Sequence, residues 1–380
     1  MFGKSMTTQI CRWGFLSTAA ISRKNWKSIA LSSTGRVTAV ASRDQAKADA
    51  FIDECSAEVP VSPRPTALGS YEELLARQDV DAVYIALPTA LRKPWVIRAA
   101  ESGKHVLCEK PIASTVADAA EMIAACKSHG VQFIDGVMFN HSSRLAALRR
   151  ALDASNGIGP VRRISSHFSF FGGDAFERDN IRVQSQLEPH GCLGDLGWYN
   201  LRFTLWVMNY KMPSAVVAHT HRTLQGTSSA ATVPGELSAT LFFDDGVSAN
   251  CFSSFLVENQ QLATISGQRG YITLDDFVLP FYDAEVAWNS HQNVLEIDNC
   301  RWNMRRHANR QAVYEYASGE ANSQEVNMIR AMNEIVISGQ LNDHWPEIAM
   351  KTQQLLNACR QSADSGGARI EISTRFADRQ

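Results

Sequence analysis

Short apolar runs alternate with stretches of helical periodicity from residue 12 to residue 136. The apolar runs cover residues 13–16, 37–41, 82–87 and 131–134, and another leads directly into Glu109. Each run is apolar on both faces, which is typical of strands in a parallel sheet that helices cover on both sides. The alternation therefore predicts an α/β fold whose N-terminal part is a doubly wound parallel sheet.

The pattern changes after about residue 139, where strand-like runs follow one another through short turns without intervening helices. These runs are residues 164–170, 215–221, 236–243, 247–254, 262–266 and 271–274. This pattern predicts a C-terminal α+β domain with a large, open, mostly antiparallel sheet. We expect one domain over residues 10–138 and a second over 139–345, with a helix at 346–363 that packs back on the first.

The stretch from Gly103 to Pro111 reads Gly-Lys-His-Val-Leu-Cys-Glu-Lys-Pro, so an apolar strand ends directly in Glu109 and Lys110. In a parallel sheet, ligands bind in the crevice outside the carboxyl ends of the strands. Lys110 is therefore a candidate for catalysis. An exposed lysine at a tight turn is the alternative that these residues leave open.

The first strand-to-helix turn is where a dinucleotide-binding fold normally carries Gly-x-Gly-x-x-Gly. Here residues 17–22 read Ser-Thr-Ala-Ala-Ile-Ser, with small residues but no glycine at the three glycine positions. The start of the helix still offers unpaired N–H groups to a pyrophosphate. We therefore predict cofactor contacts from Ser17, Thr18 and Ala19, with an ordinary helix start as the alternative.

The second strand ends in Ala41-Ser42-Arg43-Asp44. At this position an acidic residue binds a ribose 2′-hydroxyl, whereas an arginine accommodates a 2′-phosphate. Ser42, Arg43 and Lys47 suit the phosphate, and Asp44 is expected to cap the following helix. The pattern favours NADP as the cofactor and leaves NAD open.

Taken together, these motifs resemble the glucose-fructose oxidoreductase/inositol dehydrogenase (Gfo/Idh/MocA) family of nicotinamide enzymes. Four further segments carry the resemblance: Leu-Pro-Thr at 87–89, Asp-Gly-Val-Met-Phe at 135–139, Gly-Asp-Leu-Gly-Trp-Tyr at 194–199 and Trp-Pro-Glu-Ile at 345–348. The resemblance covers nearly the whole chain. It looks closest to the branch that holds xylose-type sugar dehydrogenases and dihydrodiol dehydrogenases.

The resemblance implies an N-terminal Rossmann domain and a second domain whose open sheet carries the substrate pocket. It also implies a homodimer or homotetramer that assembles through this sheet. Lys110, Asp195 and Tyr199 would face the nicotinamide, and many family members have a histidine where this chain has Tyr199. Pro88 and Glu109 complete the predicted cofactor contacts, although Glu109 has the alternative role of holding its turn.

Chemistry supports these assignments, because hydride transfer at an alcohol carbon requires proton transfer at its oxygen. A tyrosine, with a usual pKa near 10, is a poor base at neutral pH. A neighbouring ammonium, which Lys110 would provide, favours the phenolate. We assign polarisation of the substrate oxygen to Lys110, acid/base chemistry to Tyr199 and substrate positioning to Asp195. A helix cap at Asp195 and a half-buried aromatic at Tyr199 are the structural alternatives.

Weaker candidates for substrate binding are Arg182, in a polar loop, and His141, after the last predicted strand of the first domain. A surface ion pair is the alternative for Arg182, and a structural role is the alternative for His141. Arg92 stands where relatives often carry histidine. His219 and His221 share a strand face but have no thiolate or carboxylate pattern beside them, so no metal site is predicted.

Charge and cysteine content limit the function classes. The net charge of -2 argues against a nucleic-acid partner, and no apolar run approaches the roughly 18 residues that cross a membrane. The cysteines are scattered without Cys-x-x-Cys spacing, which is typical of a cytoplasmic protein. We therefore expect a cytoplasmic NADP(H)-dependent oxidoreductase acting on a sugar or sugar-like diol. The alternatives are a non-catalytic dinucleotide-binding sensor and a redox-neutral enzyme with tightly bound NAD.

Overall fold

The computed structural model describes residues 9–372, which divide into two compact units. The first unit contains the described residues up to Ala113, Ala117–His141 and Ser318–Ala349. The second contains Ser114–Val116, Ser142–Ala317 and the described residues from Met350 onward. The first unit therefore includes residues 318–345, which we expected in the second domain. The second unit holds most of the last helix.

Strands and helices are numbered in chain order over the described residues. The strands are β1 (Cys11–Leu16), β2 (Gly35–Ala41), β3 (Thr66–Leu68), β4 (Ala82–Ile85), β5 (His105–Cys108), β6 (Phe133–Asp135), β7 (Val161–Phe171), β8 (Ala215–Leu224), β9 (Val233–Phe242), β10 (Ser248–Ser254), β11 (Leu256–Gly267), β12 (Tyr271–Leu274), β13 (Glu285–Asp298), β14 (Arg301–Tyr314) and β15 (Ile370–Glu371). The helices are α1 (Ala20–Leu31), α2 (Gln45–Glu58), α3 (Tyr71–Leu75), α4 (Arg92–Glu101), α5 (Val116–Ser128), α6 (Ser143–Asp153), α7 (Gly173–Asp179), α8 (Trp198–Val207), α9 (Gln324–Ser338) and α10 (His344–Asp364). Short 3₁₀ turns occur at Thr89–Leu91, Met138–His141 and Ile181–Val183, and a π-helical turn covers Leu193–Gly197.

The first unit is built on a six-stranded sheet of order β3-β2-β1-β4-β5-β6, in which every pairing is parallel. The predicted doubly wound sheet is confirmed. The strand order reverses between β1 and β4, and this switch point is where such sheets bind ligands. Strand β3 was not among the predicted strands, because three residues next to prolines are too short to show a period.

Helix α9 explains why residues 318–349 cluster with the first unit. Its Met328 and Met332 join the same buried apolar cluster as Trp13 of β1. The indole Nε1 of Trp13 also donates a hydrogen bond to Asn333 Oδ1 at 2.8 Å. These contacts join positions that are far apart in the chain, so no local pattern predicts them.

The second unit contains a nine-stranded sheet of order β14-β13-β12-β11-β7-β10-β9-β8-β15. Its pairings are antiparallel except for β7 with β10, which confirms the predicted, mostly antiparallel sheet. Every residue of α8 is buried. The long hairpin of β13 and β14 was not predicted, because its outer half is exposed and shows no buried face.

Candidate functional site

The turn that follows β5 carries Glu109 and Lys110. The Glu109 carboxylate accepts a hydrogen bond from the buried Tyr84 Oη at 2.6 Å and another from the backbone N–H of Lys110 at 3.2 Å. A Cβ at position 136 would lie only 3.0 Å from Glu109 Oε1, so Gly136 gives the carboxylate its room. Glu109 therefore holds the backbone of the turn, the alternative role that the sequence left open.

Arg92 holds the same turn from the other side. Its side chain is buried, with 5% of the residue exposed. The guanidinium donates to Leu87 O at 2.7 Å, to Glu109 O at 2.8 Å and to Pro111 O. One cation thus joins the carboxyl ends of β4 and β5 around Lys110. In the sequence, Arg92 stood out only because relatives often carry histidine at this position. Its acceptors are backbone carbonyls, which every residue type has, so no residue pattern reveals them.

Burial decides the protonation of two neighbours of Glu109. It raises the pKa of the Tyr84 phenol well above its usual range, and the Glu109 charge acts in the same direction. Burial also raises the pKa of the Cys108 thiol to about 12. Both groups therefore keep their protons near neutral pH. Tyr84 acts as a hydrogen-bond donor to Glu109, and Cys108 is not a thiolate nucleophile.

The glycine-free turn after β1 adopts the conformation that glycine usually supplies. Ser17 has a φ of 114°, in the region that L-residues rarely adopt. Its Oγ accepts a hydrogen bond from Ala19 N at 3.1 Å, and its hydroxyl proton is left for another acceptor. Within the described chain, α1 has no side-chain cap and no acidic residue in its first turn. Its N-terminal N–H groups therefore suit an anion.

The end of β2 presents positive charge. Arg43 and Lys47 are exposed, and neither forms an ion pair with any residue that the structure describes. Asp44 is the N-cap of α2, as expected, because its Oδ1 accepts from Ala46 N at 3.0 Å. Ser42 is buried beside them. The Asp44 carboxylate thus caps α2, whereas the Arg43 and Lys47 side chains are available to bind a ligand.

Two further predicted contacts lie in the first unit. Pro88 begins the 3₁₀ turn after β4, where its carbonyl accepts from Leu91 N at 2.9 Å. The ring of His141 stacks on Trp345 with a centroid distance of 4.4 Å, and Asn327 Nδ2 donates to the His141 carbonyl at 3.3 Å. The stacking gives the His141 ring a packing role, and its predicted contact with substrate stays a prediction.

The second unit brings Arg182, Asp195 and Tyr199 together. Arg182 Nε donates to Asp195 Oδ2 at 2.8 Å. Asp195 lies in the π-helical turn that leads into α8, and Gly197 occupies the N-cap position of that helix. Asp195 therefore pairs with Arg182 instead of capping α8, which was its structural alternative. Tyr199 lies one helical turn further on and packs edge-on against Phe168 with a centroid distance of 5.6 Å.

The charge on Asp195 is the main cause of a raised pKa for Arg182, opposed by burial and aided by Glu188 and Tyr199. The guanidinium therefore stays charged beside both a carboxylate and a phenol. The cation and these two groups attract one another when the carboxyl and the phenol are ionised. Arg182 thus forms the ion pair that the sequence offered as its alternative, and its partner is Asp195; its predicted contact with substrate stays a prediction.

The described residues hold no group of three or more His, Cys, Asp or Glu side chains that could bind a metal ion. His221, on β8, is exposed and bonds the hydroxyl of Ser238 at 2.8 Å. Among the helices of residues 9–372, none is long and apolar enough to cross a membrane.

A parallel sheet with this strand order and an uncapped helix at its first turn is the arrangement found in dinucleotide-binding Rossmann domains. Residues 11–137 match the oxidoreductase family with an NAD-binding Rossmann fold, and residues 145–273 match the GFO/IDH/MocA C-terminal domain. The chain therefore belongs to the GFO/IDH/MocA family of oxidoreductases.

Individual relatives agree with this assignment. The chain is 32% identical over 276 residues to a dTDP-3,4-didehydro-2,6-dideoxy-alpha-D-glucose 3-reductase of Streptomyces violaceoruber, covering 72% of this chain and 75% of that protein. It is 34% identical over 246 residues to D-xylose 1-dehydrogenase (NADP(+)) 2 of Haloferax volcanii, covering 64% and 69%. A solved 3-ketoreductase from Actinomadura kijaniata, in complex with NADP and TDP-benzene, superposes with a TM-score of 0.75 at 24% identity, covering 93% of this chain and 98% of that chain. This last likeness concerns the fold.

Proposed function

We propose that this protein is an NADP(H)-dependent oxidoreductase that transfers a hydride between the nicotinamide and a hydroxyl or carbonyl carbon of a sugar or sugar-like diol. The cluster of Arg182, Asp195 and Tyr199 carries this proposal. It combines a phenol that exchanges protons with charged groups that bond hydroxyls, which is what alcohol–carbonyl interconversion requires. When bound, the nicotinamide cofactor supplies or accepts the hydride.

The first unit offers a fitting place for an anionic dinucleotide. Helix α1 begins without a side-chain cap in the described chain, and the Ser17 hydroxyl retains a proton to donate. Exposed basic side chains at the end of β2 suit a 2′-phosphate, which supports NADP over NAD. We assign the pyrophosphate to Ser17, Thr18 and Ala19, the 2′-phosphate to Ser42, Arg43 and Lys47, and further cofactor contacts to Pro88 and Glu109.

Lys110 is assigned to polarise the substrate oxygen. Its ammonium stabilises the negative charge that develops on this oxygen as the carbonyl and alcohol interconvert. The backbone around it is held by the Arg92 guanidinium and the Glu109 carboxylate, so the side chain starts from a fixed position. A preorganised cation of this kind loses little to reorganisation during the reaction.

Tyr199 is assigned to donate a proton to the substrate oxygen in reduction and to accept it in oxidation. The Arg182 charge favours the ionised phenol that oxidation needs, and packing on Phe168 orients the ring. Asp195, oriented by Arg182, accepts a hydrogen bond from a substrate hydroxyl. These roles require a substrate with at least two neighbouring oxygens, and a sugar or a diol provides them.

The names of the relatives support a carbohydrate substrate. One relative reduces a dTDP-linked keto sugar and another oxidises D-xylose, as their names state. We extend only the substrate class to this chain.

The test follows the absorbance of the reduced nicotinamide while the purified protein meets a panel of aldoses, ketoses, polyols and diols. We expect turnover with at least one member. Lys110→Ala and Tyr199→Phe should each lower kcat by about 100-fold or more, the usual worth of a proton-transfer or charge-stabilising group. Both variants should keep the affinity for NADPH. Exposed Lys127 and Tyr282 provide matched controls, because Lys127→Ala and Tyr282→Phe should leave turnover unchanged.

Either of two outcomes would overturn the proposed function in favour of another. Tight NADPH binding without turnover across the panel would identify a non-catalytic sensor. Release of NAD(H) from the denatured protein, together with substrate conversion that changes no external cofactor, would identify a redox-neutral enzyme with tightly held NAD.

A further inference from the structure

Three phenylalanine rings form a cluster in the second unit. The Phe170 ring, near the end of β7, meets the Phe176 ring of α7 at a centroid distance of 5.3 Å and the Phe255 ring at 5.2 Å. The Phe176 and Phe255 rings lie 5.0 Å apart. Phe255 is fully buried, whereas Phe170 and Phe176 are partly exposed. We call the exposed surface of these two rings the aromatic wall.

The register of β7 places the aromatic wall beside Tyr199. The Tyr199 ring packs on Phe168 of this strand at a centroid distance of 5.6 Å. Phe170 lies two residues further along the strand, so its side chain shares the face of Phe168 and starts about 7 Å from it. The strand face that supports the assigned acid/base group therefore continues directly into the aromatic wall.

One short segment connects the aromatic wall to Arg182. It runs from the end of β7 through α7 to the 3₁₀ turn that carries Arg182. A Cβ at position 172 would lie only 2.5 Å from the Phe176 ring, so Gly172 lets this ring lie directly on the backbone. Asn180 N donates to the Phe176 carbonyl at 3.1 Å, and Asn180 Oδ1 accepts from Arg182 N at 3.0 Å. The ring and the guanidinium are thus positioned by consecutive hydrogen bonds.

The loop between β8 and β9 anchors this segment from outside. Gly226 N donates to the Val183 carbonyl at 3.0 Å, and Thr227 N donates to the Arg178 carbonyl at 2.8 Å. The backbone on both sides of Arg182 is therefore tied to a neighbouring hairpin. The aromatic wall and the Arg182–Asp195 pair have fixed positions relative to each other before any substrate binds.

We propose that the aromatic wall is a specificity element of the substrate site, and that the substrate is a deoxy sugar or diol with a methyl or methylene carbon close to its reacting hydroxyl. Aromatic rings gain from contact with apolar C–H groups. A hydroxyl pressed against the same rings loses its water and finds no hydrogen-bond partner, which is costly. The wall therefore favours a carbon without oxygen over the same carbon with a hydroxyl.

The site thus divides into a polar side and an apolar side. The Arg182–Asp195 pair and Tyr199 bind the substrate oxygens, and Phe170 and Phe176 bind its deoxygenated carbon. A fully hydroxylated sugar satisfies only the polar side, so it binds less tightly than its deoxy counterpart.

This proposal rests on the proposed function, because it assigns the aromatic wall to the same site. Binding and turnover are measured separately, so the two can fail separately. Turnover of hydroxylated sugars without any preference for deoxy sugars would refute the wall and leave the oxidoreductase intact. Binding that favours deoxy sugars through the wall, without turnover of any of them, would do the reverse.

Dissociation constants of sugar pairs that differ by one hydroxyl provide the test, measured by saturation-transfer NMR on the full chain with saturating NADP. The pairs are D-fucose with D-galactose, L-rhamnose with L-mannose, and 2-deoxy-D-glucose with D-glucose. We expect the deoxy member of at least one pair to bind about tenfold more tightly, the lower end of what one carbon is worth in a hydrophobic pocket. Irradiation of the aromatic protons should then saturate the methyl or methylene signal of that sugar most strongly.

Variants of the wall assign the preference to its residues. Phe176→Gln replaces the ring with an amide that can bond a hydroxyl, so it should reduce the preference about fivefold or more. Phe176→Leu keeps an apolar surface and should retain the preference within about twofold. Phe171→Gln is the matched control, because Phe171 is 65% exposed and lies on the opposite face of β7 from Phe170. Circular dichroism and Tm verify that each variant folds.

The absence of a deoxy preference in all three pairs would overturn the proposal. A preference of the same size in the wild type and in folded Phe176→Gln would also overturn it. Phe170→Thr supplies a second variant on the strand, where a β-branched residue suits the backbone. It should reduce the preference in the same way, and an unchanged preference in this variant would contradict the wall even if α7 of Phe176→Gln unfolds.

Discussion

Arg182 Nε donates a hydrogen bond to Asp195 Oδ2 at 2.8 Å, and this pair organises the polar cluster of the second unit. The 3₁₀ turn that carries Arg182 is itself capped, because Asn180 Oδ1 accepts from the backbone N–H of Arg182 at 3.0 Å. A capped turn and a π-helical turn thus converge on one ion pair beside Tyr199. Arg182 lies 13 residues before Asp195 in the chain, so only the folded structure brings the two charges together.

We expect Arg182→Gln to lower kcat/KM by roughly tenfold, the value of about one lost charged hydrogen bond. The loss should be no larger, because the side chain is 41% exposed and solvent screens the pair. Removing the cation beside Tyr199 makes its phenol harder to ionise. The rising limb of the pH profile for alcohol oxidation should therefore move to higher pH.

Steady-state kinetics across pH provide the measurement. Arg178→Gln is a suitable control, since Arg178 is an exposed arginine near the end of α7 whose carboxylate partner, Asp179, is also exposed. A uniform drop in activity with an unshifted profile would show that Arg182 acts only on the geometry of Asp195.

Arg92→Met should destabilise the first unit. The change removes the donor to three backbone carbonyls at Leu87, Glu109 and Pro111. Each buried acceptor left without a partner costs on the order of 1–3 kcal/mol, so we expect a total of about 3 kcal/mol and a fall in Tm of several degrees. Arg92→Lys keeps the charge but not the planar fork of donors, so it should lie between wild type and Arg92→Met.

Thermal unfolding measures this effect, with Arg98→Met as a control on the exposed face of the same helix. We also expect kcat to fall, because the backbone that carries Lys110 is no longer held in place. An unchanged Tm for Arg92→Met would show that water replaces the guanidinium without cost.

The parallel sheet was predictable because its strands are buried on both faces and therefore appear as continuous apolar runs. The Asp44 cap was predictable for a similar reason, since capping depends on neighbours in sequence. The role of Arg92 was not, because its acceptors are backbone carbonyls, and every residue type carries these. The outer half of the β13–β14 hairpin, residues 292–307, was missed because both of its faces meet solvent, so burial imposes no alternation on its sequence.

The candidate site likewise combines features that the sequence predicts with features that only the structure shows. Lys110 and Tyr199 were found from motifs, and their assigned roles remain predictions. The sequence did not predict the pairing of Asp195 with Arg182, since either residue alone also fits a cap or a surface charge. The positive φ of Ser17 could not be predicted, because this conformation is usually adopted by glycine and a serine in the sequence does not indicate it.

Arg43→Ala should separate the two nicotinamide cofactors. If Arg43 accommodates the 2′-phosphate, its loss should weaken NADPH binding by about 10-fold to 100-fold, as expected for a charge-assisted contact. NADH, which lacks this phosphate, should bind with little change. Quenching of tryptophan fluorescence gives both dissociation constants.

Arg64→Ala serves as the control, because Arg64 is exposed in the same unit but already pairs with Asp53. Tighter binding of NADH than of NADPH by the wild type would reverse the cofactor assignment. The protein would then depend on Ser42 and neighbouring backbone groups for a ribose with a free hydroxyl.

His190 should make the second unit sensitive to acid. Its Nε2 bonds the carbonyl of Ser114 at 2.9 Å, and burial lowers its pKa from 6.5 to about 4. The folded chain thus binds this proton less tightly than the unfolded chain. The stability present above pH 6.5 is therefore lost as the pH falls towards 4. At about 1.4 kcal/mol for each unit of pKa shift, the loss is about 3 kcal/mol.

Urea unfolding of His190→Asn at about pH 7 and about pH 4.5 tests whether His190 causes this loss of stability in acid. The variant should be less stable than wild type at neutral pH, because the buried ring is lost. Its stability should then fall less on acidification, by about 2–3 kcal/mol. The exposed His221 supplies the control, since His221→Asn should keep the full acid sensitivity. Equal pH dependence in wild type and His190→Asn would place the acid-sensitive group elsewhere, because no other change in the variant removes a titrating proton.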